Sequence, residues 1–166
     1  MLDAPPSART RTVAWADPRA TAARGRDMAG LAYLQAIVDG ELPPPPIAVL
    51  LGMGVVSVEA GRVVFSLEPG EHLYNPIGLV HGGALATLLD SVAGCAVHST
   101  LPAGVGYATT SLSSSFVRAV RADAGTITAT GEVVHVGRTV AHATATAIDA
   151  GSRVLATAQV TCAVIR

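Results

Sequence analysis

Between His81 and roughly Thr100 the chain carries Ala84, Leu85, Ala86, Leu88, Leu89, Val92, Ala93, Cys95, Ala96 and Val97, so a helix over this stretch is apolar on nearly every face. A helix of that kind has to be buried in protein or in lipid. Lipid is excluded by length, because a membrane span needs ~20 consecutive apolar residues and Asp90 interrupts the run from Gly82 to Val97. The remainder of the chain must cover this one helix, and what flanks it is mostly β.

Upstream, Val55 to Val58 and Arg62 to Leu67 are β-rich runs joined by Glu59-Ala60-Gly61, which predicts a hairpin. Downstream, residues 105–117, 125–136, 139–149 and 153–165 are rich in threonine and valine and are separated by glycine-bearing turns, Gly137-Arg138 among them as a two-residue hairpin signal. Two strands, one buried helix and four strands in meander predict an α+β architecture, an antiparallel sheet wrapped around a central helix. A shorter helix is expected from Asp27, its cap, through Met28, Leu31, Leu34, Ile37 and Val38 to Gly40. Pro43 to Pro46 then impose an extended linker. Gly52-x-Gly54 precedes a strand instead of opening a helix after one, so it is not a dinucleotide loop.

Residues 1–26 carry five arginines against Asp3 and Asp17 and lack apolar periodicity, which reads as an N-terminal tail, mobile or draped on the surface, before a single domain at 27–166. The opening Met1 to Pro6 has neither a basic nor an apolar region, so no secretory signal is expected. The 166 residues suffice for a core without disulfide or metal staples. Cys95 and Cys162 form no CxxC pair and suit a reducing, cytoplasmic setting. With a net charge of -1 and no basic run beyond the tail, a phosphate-tracking nucleic-acid binder is not expected, nor is a membrane protein.

The densest cluster of unusual residues is Asn75-Pro76-Ile77-Gly78-Leu79-Val80-His81-Gly82-Gly83, followed by Asp90. Gly82 and Gly83 fall where the buried helix begins, and the first turn of a helix has unpaired N–H groups and partial positive charge. Glycine there lets a ligand oxygen approach the backbone, a natural carbonyl or oxyanion site. Asp90 lies on a stripe of small or polar residues, Gly83, Thr87, Asp90 and Gly94. A buried carboxylate is costly unless paired or functional, so Asp90 is either a reacting group or a structural acid bonded to a nearby Thr or Ser. His81 reads equally as a helix cap, and Asn75 before Pro76 as a turn-forming residue. His135 and His142 flank a turn without a third ligand in view, so no metal is expected.

Leu73-Tyr74-Asn75-Pro76, Val80-His81-Gly82-Gly83, Leu88-Leu89-Asp90, the strand entry Tyr107-Ala108-Thr109-Thr110-Ser111-Leu112 and Phe116-Val117-Arg118 together resemble the hotdog-fold acyl-CoA thioesterases of the phenylacetate-degradation (PaaI-like) type. The resemblance covers about residues 30–166, and its specific part is the Asn-x5-His-Gly-Gly-x6-Asp spacing. It implies hydrolysis of an acyl-CoA thioester without metal or redox cofactor. Gly82, with Gly83 beside it, would polarise the carbonyl, Asp90 would act as base or nucleophile, Asn75 would position water, and His81 would orient the thioester or the loop. Thr109 occupies the strand position near the carboxylate, and Arg118 and Arg138 are candidates for the phosphates of coenzyme A. The strand Ser111 to Phe116 departs from the pattern by its serines. A hydratase of the same fold carries other residues where Leu73 and Gly78 stand, and a non-catalytic acyl-CoA sensor has no use for Asp90.

Gly82 and Asp90 are eight residues apart on one helix, about 12 Å at ~1.5 Å per residue. One chain's Asp90 therefore does not reach a carbonyl held at its own Gly82. If both serve one thioester, they come from two copies, which predicts a homodimer or a dimer of dimers with the site shared, as the resemblance also implies.

Overall fold

The computed structural model describes residues 8–166; the expectation drawn from Met1 to Pro6 lies outside them. Its elements are α1 (Pro18–Gly25), α2 (Gly30–Val38), α3 (Pro46–Leu51), β1 (Met53–Glu59), β2 (Arg62–Leu67), α4 (Gly82–His98), β3 (Gly106–Phe116), β4 (Ile127–Val136), β5 (Val140–Ile148) and β6 (Val154–Ile165). The six strands form one antiparallel sheet in the order β1-β2-β4-β5-β6-β3. The α4 helix packs against it and touches all six strands.

The alternation along β5 shows how the sheet receives the helix. Ala141, Ala143, Ala145 and Ala147 are buried and face α4, while His142 and Thr144 are exposed on the other side, as period two demands. Small side chains on this central strand open a trough, and α4 fills it with Leu88, Leu89, Val92 and Val97, all at 0% exposure. Each such residue contributes ~1.5–3 kcal/mol on burial, so α4 is the centre of the core. Gly131 of β4 lies close under the helix: a Cβ there would stand 2.4 Å from the carbonyl oxygen of Val92.

Two expectations are corrected here. The last four strands are not a meander, because β3 lies at the far edge beside β6 while β4 pairs with β2. The chain crosses the sheet along α4 and lands beyond the strands that follow, and strand periodicity carries no information on which edge is reached. Asp27 is not the cap of α2, which starts after Ala29 without a side-chain cap. Gly30 instead sets its start by packing, its N–H bonded to the Leu101 carbonyl at 3.0 Å and its Cα against the carbonyl of His98, where no Cβ fits. Consequently Leu34 and Ala36 are buried, whereas Leu31 and Val38 remain exposed.

Residues 8–29, before α2, lie on the surface. It includes α1, capped by the Asp17 carboxylate and burying no residue, and Arg9 pairs with Glu71. The hairpin between β4 and β5 closes one residue later than expected: Gly137 N–H bonds the Val140 carbonyl at 2.8 Å, leaving Arg138-Thr139 at the tip.

At the β5–β6 turn the buried Asp149 accepts from the N–H groups of Gly151 (3.0 Å) and Arg153 (2.9 Å) and pairs with the Arg153 guanidinium at 2.7 Å. It holds Ser152 at the positive φ of 61°. The Arg153 N–H foremost, with its guanidinium, keeps this carboxyl below its ordinary pKa although burial pulls the other way. A depressed folded value makes the contribution complete above the ordinary carboxylate range and removes it as pH falls through the folded one. Asp149→Asn is therefore expected to lower the urea midpoint at neutral pH, with the gap from the parent closing in acid. A gap independent of pH would mean that the charge plays no part.

Candidate active site

The loop entering α4 is stapled by Asn75. Its Oδ1 accepts from the N–H groups of Ile77 and Leu79, each at 3.1 Å, and its own N–H donates to the Leu79 carbonyl at 2.7 Å. Gly78 turns the chain at a φ of 76°, and Val80 pairs back with Tyr74. The side-chain oxygen of Asn75 is thus spent on the turn, and its Nδ2 hydrogens have no partner among the described residues.

His81 is the N-cap of α4: its Nδ1 accepts from the Gly83 N–H at 2.8 Å. That bond corrects one expectation, since the Gly83 N–H is already engaged and is not available to a ligand. Gly82 differs, for its N–H has no partner among the described residues. A Cβ on Gly82 would lie 3.3 Å from the Phe116 ring, so glycine keeps the approach open. Here Asn75, Gly82, Leu85, Phe116, Arg118 and Val120 line a pocket of about 260 Å³. An Arg118 nitrogen donates to the Val154 carbonyl, which anchors the guanidinium at the pocket edge.

Asp90 lies elsewhere. Its Oδ1 accepts from the Thr109 Oγ1 at 2.8 Å, and its second oxygen has no protein partner among the described residues. Asp90 is partly exposed rather than buried, so no desolvation penalty demands a structural partner. Arg138 stands at the opposite end of the sheet from the pocket, because Val140 beside it aligns through Ala163 with Ala108 of β3, whereas the pocket adjoins Phe116. One chain therefore joins Asn75, Gly82 and Arg118, and separately joins Asp90 and Thr109. It does not unite the two groups.

Beyond Asp90 the residues turn aromatic. Tyr107, two positions before Thr109 on the same face of β3, covers Gly94 and packs against His98 in a tilted arrangement with ring centroids 5.5 Å apart. His98 packs in turn, also tilted, against Tyr33 of α2 at 5.5 Å. Burial, then the neighbouring Cys95, pushes the Tyr107 phenol well above its ordinary value, and burial pushes the Cys95 thiol up to about 12. These groups stay protonated and uncharged at neutral pH. Tyr107 was not among the residues expected at the site, although alternation from Thr109 was a signal for its direction.

The sequence profile of the Thioesterase superfamily matches residues 77–160, half of the chain, including Gly82, Asp90 and Thr109. The chain belongs to the thioesterase superfamily. As a member, this thioesterase is a thioester hydrolase with the hotdog fold, its long helix packed on a six-stranded antiparallel sheet. It is 33% identical over 89 residues, 53% of its own length and 70% of the other's, to the 1,4-dihydroxy-2-naphthoyl-CoA hydrolase of Listeria monocytogenes. A phenylacetic acid degradation-related protein of Ralstonia eutropha, itself described as a putative thioesterase, is 31% identical and superposes with a TM-score of 0.72 over 79% of this thioesterase and 98% of that chain. A Streptococcus mutans protein bound to acetyl-CoA is 29% identical, with a TM-score of 0.62 over 68% and 87% of the two chains. Among the described residues no helix of this thioesterase is long and apolar enough to cross a membrane.

Proposed function

We propose that the protein hydrolyses acyl-CoA thioesters in a site assembled from two copies of the chain, with Gly82 and Asn75 from one and Asp90 and Thr109 from the other. The observation that carries this reading is the division of the site. An unpaired N–H at a helix start and a half-free carboxylate are the two groups thioester hydrolysis needs, and they stand about 12 Å apart along one helix. A two-fold axis near the middle of that interval, with the two α4 helices antiparallel, brings each Gly82 beside the other chain's Asp90. Edge strand β3 supports the same axis: among the described residues this eleven-residue strand pairs only with β6, which leaves its other backbone edge open. An exposed edge of this kind is a template for pairing with another chain.

Attack on a thioester carbonyl places negative charge on the carbonyl oxygen, and the Gly82 N–H at the positive end of α4 stabilises it. Asp90 either takes a proton from the attacking water or attacks the carbonyl itself, with water then cleaving the acyl-aspartate. In both routes the C–S bond breaks and coenzyme A leaves as a thiolate. Thr109 holds one carboxylate oxygen and leaves the other for the reaction. His81 acts on the loop by fixing Gly83, which directs the neighbouring Gly82 N–H outward. Asn75 braces the same loop and presents its free amide hydrogens to water, and Arg118 at the pocket edge meets phosphate.

Release of free thiol from a panel of aryl and aliphatic acyl-CoA substrates tests this reading. Turnover of at least one member of the panel, abolished by removing Asp90, is expected. A folded protein that hydrolyses none of them would overturn it.

A further inference from the structure

The arrangement beyond Asp90 deepens the proposed reading, on which it rests, toward the size of the acyl group. Two α4 helices packed antiparallel about an axis midway between residues 82 and 90 lie alongside each other from Gly83 to Asp90. The small side chains there, Gly83, Ala86 and Thr87, permit that close approach. Space on the N-terminal side of Asp90 is then filled by the other helix, and coenzyme A occupies the pocket beside the other chain's Gly82. The direction left for the acyl group is along the C-terminal side of Asp90, toward Gly94.

One helical turn on, ~6 Å away, that path ends on Tyr107. A Cβ built on Gly94 would lie 2.6 Å from Tyr107 Cε2 and 2.9 Å from its hydroxyl oxygen, so the ring rests directly on helix backbone. The ring does not swing aside easily, because His98 and then Tyr33 pack behind it in tilted contacts that tie β3, α4 and α2 together. We propose that Tyr107, seated on Gly94, is the end wall of the acyl crevice and restricts the enzyme to short or single-ring acyl groups. An acyl chain longer than one turn of helix meets the ring and gains nothing from its further methylenes.

Binding of non-hydrolysable 2-oxoalkyl and aryl thioether analogues of acetyl-, butyryl-, benzoyl-, octanoyl- and dodecanoyl-CoA by calorimetry tests the wall without requiring turnover. The parent chain is expected to bind the octanoyl and dodecanoyl analogues at least about tenfold more weakly than the butyryl or benzoyl one. Tyr107→Phe keeps the ring and should keep that step; Tyr107→Ala should remove it. If the alanine variant fails to fold, Tyr107→Leu carries the same expectation with less loss of packing, and its melting temperature reports the fold. A parent profile without a step, a step that survives in the folded Ala or Leu variant, or no binding of any analogue would each overturn the wall. A chain that binds with the step yet releases no thiol from the matching substrates retains the wall and loses the hydrolytic reading, so the two failures are distinct.

Discussion

Asp90→Asn and Asp90→Ala are each expected to lower kcat by at least ~10²-fold while KM changes far less, since general-base or nucleophilic help acts mainly in the transition state. The asparagine variant is the sharper test. It is nearly isosteric, and its side-chain oxygen still accepts the bond from Thr109, so the local structure is kept while charge and basicity are removed. Loss of folding is not a rival explanation for it, because Asp90 is partly exposed and stands outside the core. Steady-state kinetics on the best substrate of the panel, with melting curves for both variants, settles the matter; near-normal turnover in folded Asp90→Ala would remove the residue from the mechanism.

The second large effect appears when two damaged proteins are combined. Asn75→Ala and Asp90→Ala should each be nearly inactive alone, and equal amounts allowed to exchange subunits should recover roughly a quarter of the parent activity. Random pairing makes half of the dimers mixed, and each mixed dimer carries both lesions in one site and none in the other. The structure motivates the choice of pair, because Asn75 lines the pocket with Gly82 whereas Asp90 lies with Thr109 away from it. Exchange is verified by labelling the two variants and observing the mixed species. No recovery in the presence of that species would mean that each site is completed within one chain.

Much of this was legible in the residues. The central helix betrayed itself by being apolar on nearly every face, and Ala60-Gly61 sits in the hairpin turn where Gly61 takes a φ of 81°. The glycine pair at the helix start and the acid in an apolar helix could also be singled out as candidates, although the expected burial cost of Asp90 does not apply, because it is partly exposed. What remained hidden depends on tertiary contact. The far-edge position of β3 follows from where α4 deposits the chain, and the start of α2 follows from Gly30 packing under His98. Spacing alone left His81 poised between cap and ligand, and only the position of its Nδ1 decides that it caps Gly83. The short helix α1 has no apolar stripe and buries nothing, so periodicity had nothing to register.

The place of β3 in the sheet also sets a schedule for biosynthesis. Its only strand partner among the described residues is β6, and the pairs they form, from Phe116 with Ala156 to Gly106 with Ile165, join residues 40 to 59 positions apart. A ribosome adding ~5–20 residues per second delivers β4 and β5 in the interval, so β3 waits unpaired until the last strand emerges. The sheet closes from the C-terminal end, and a premature stop at the start of β6 would leave β3 without its strand partner, whereas later stops would shorten the ladder from its Gly106 end. Loss of a few residues at that end should therefore harm the fold far more than loss of the same number from residues 8–17, where no core residue resides.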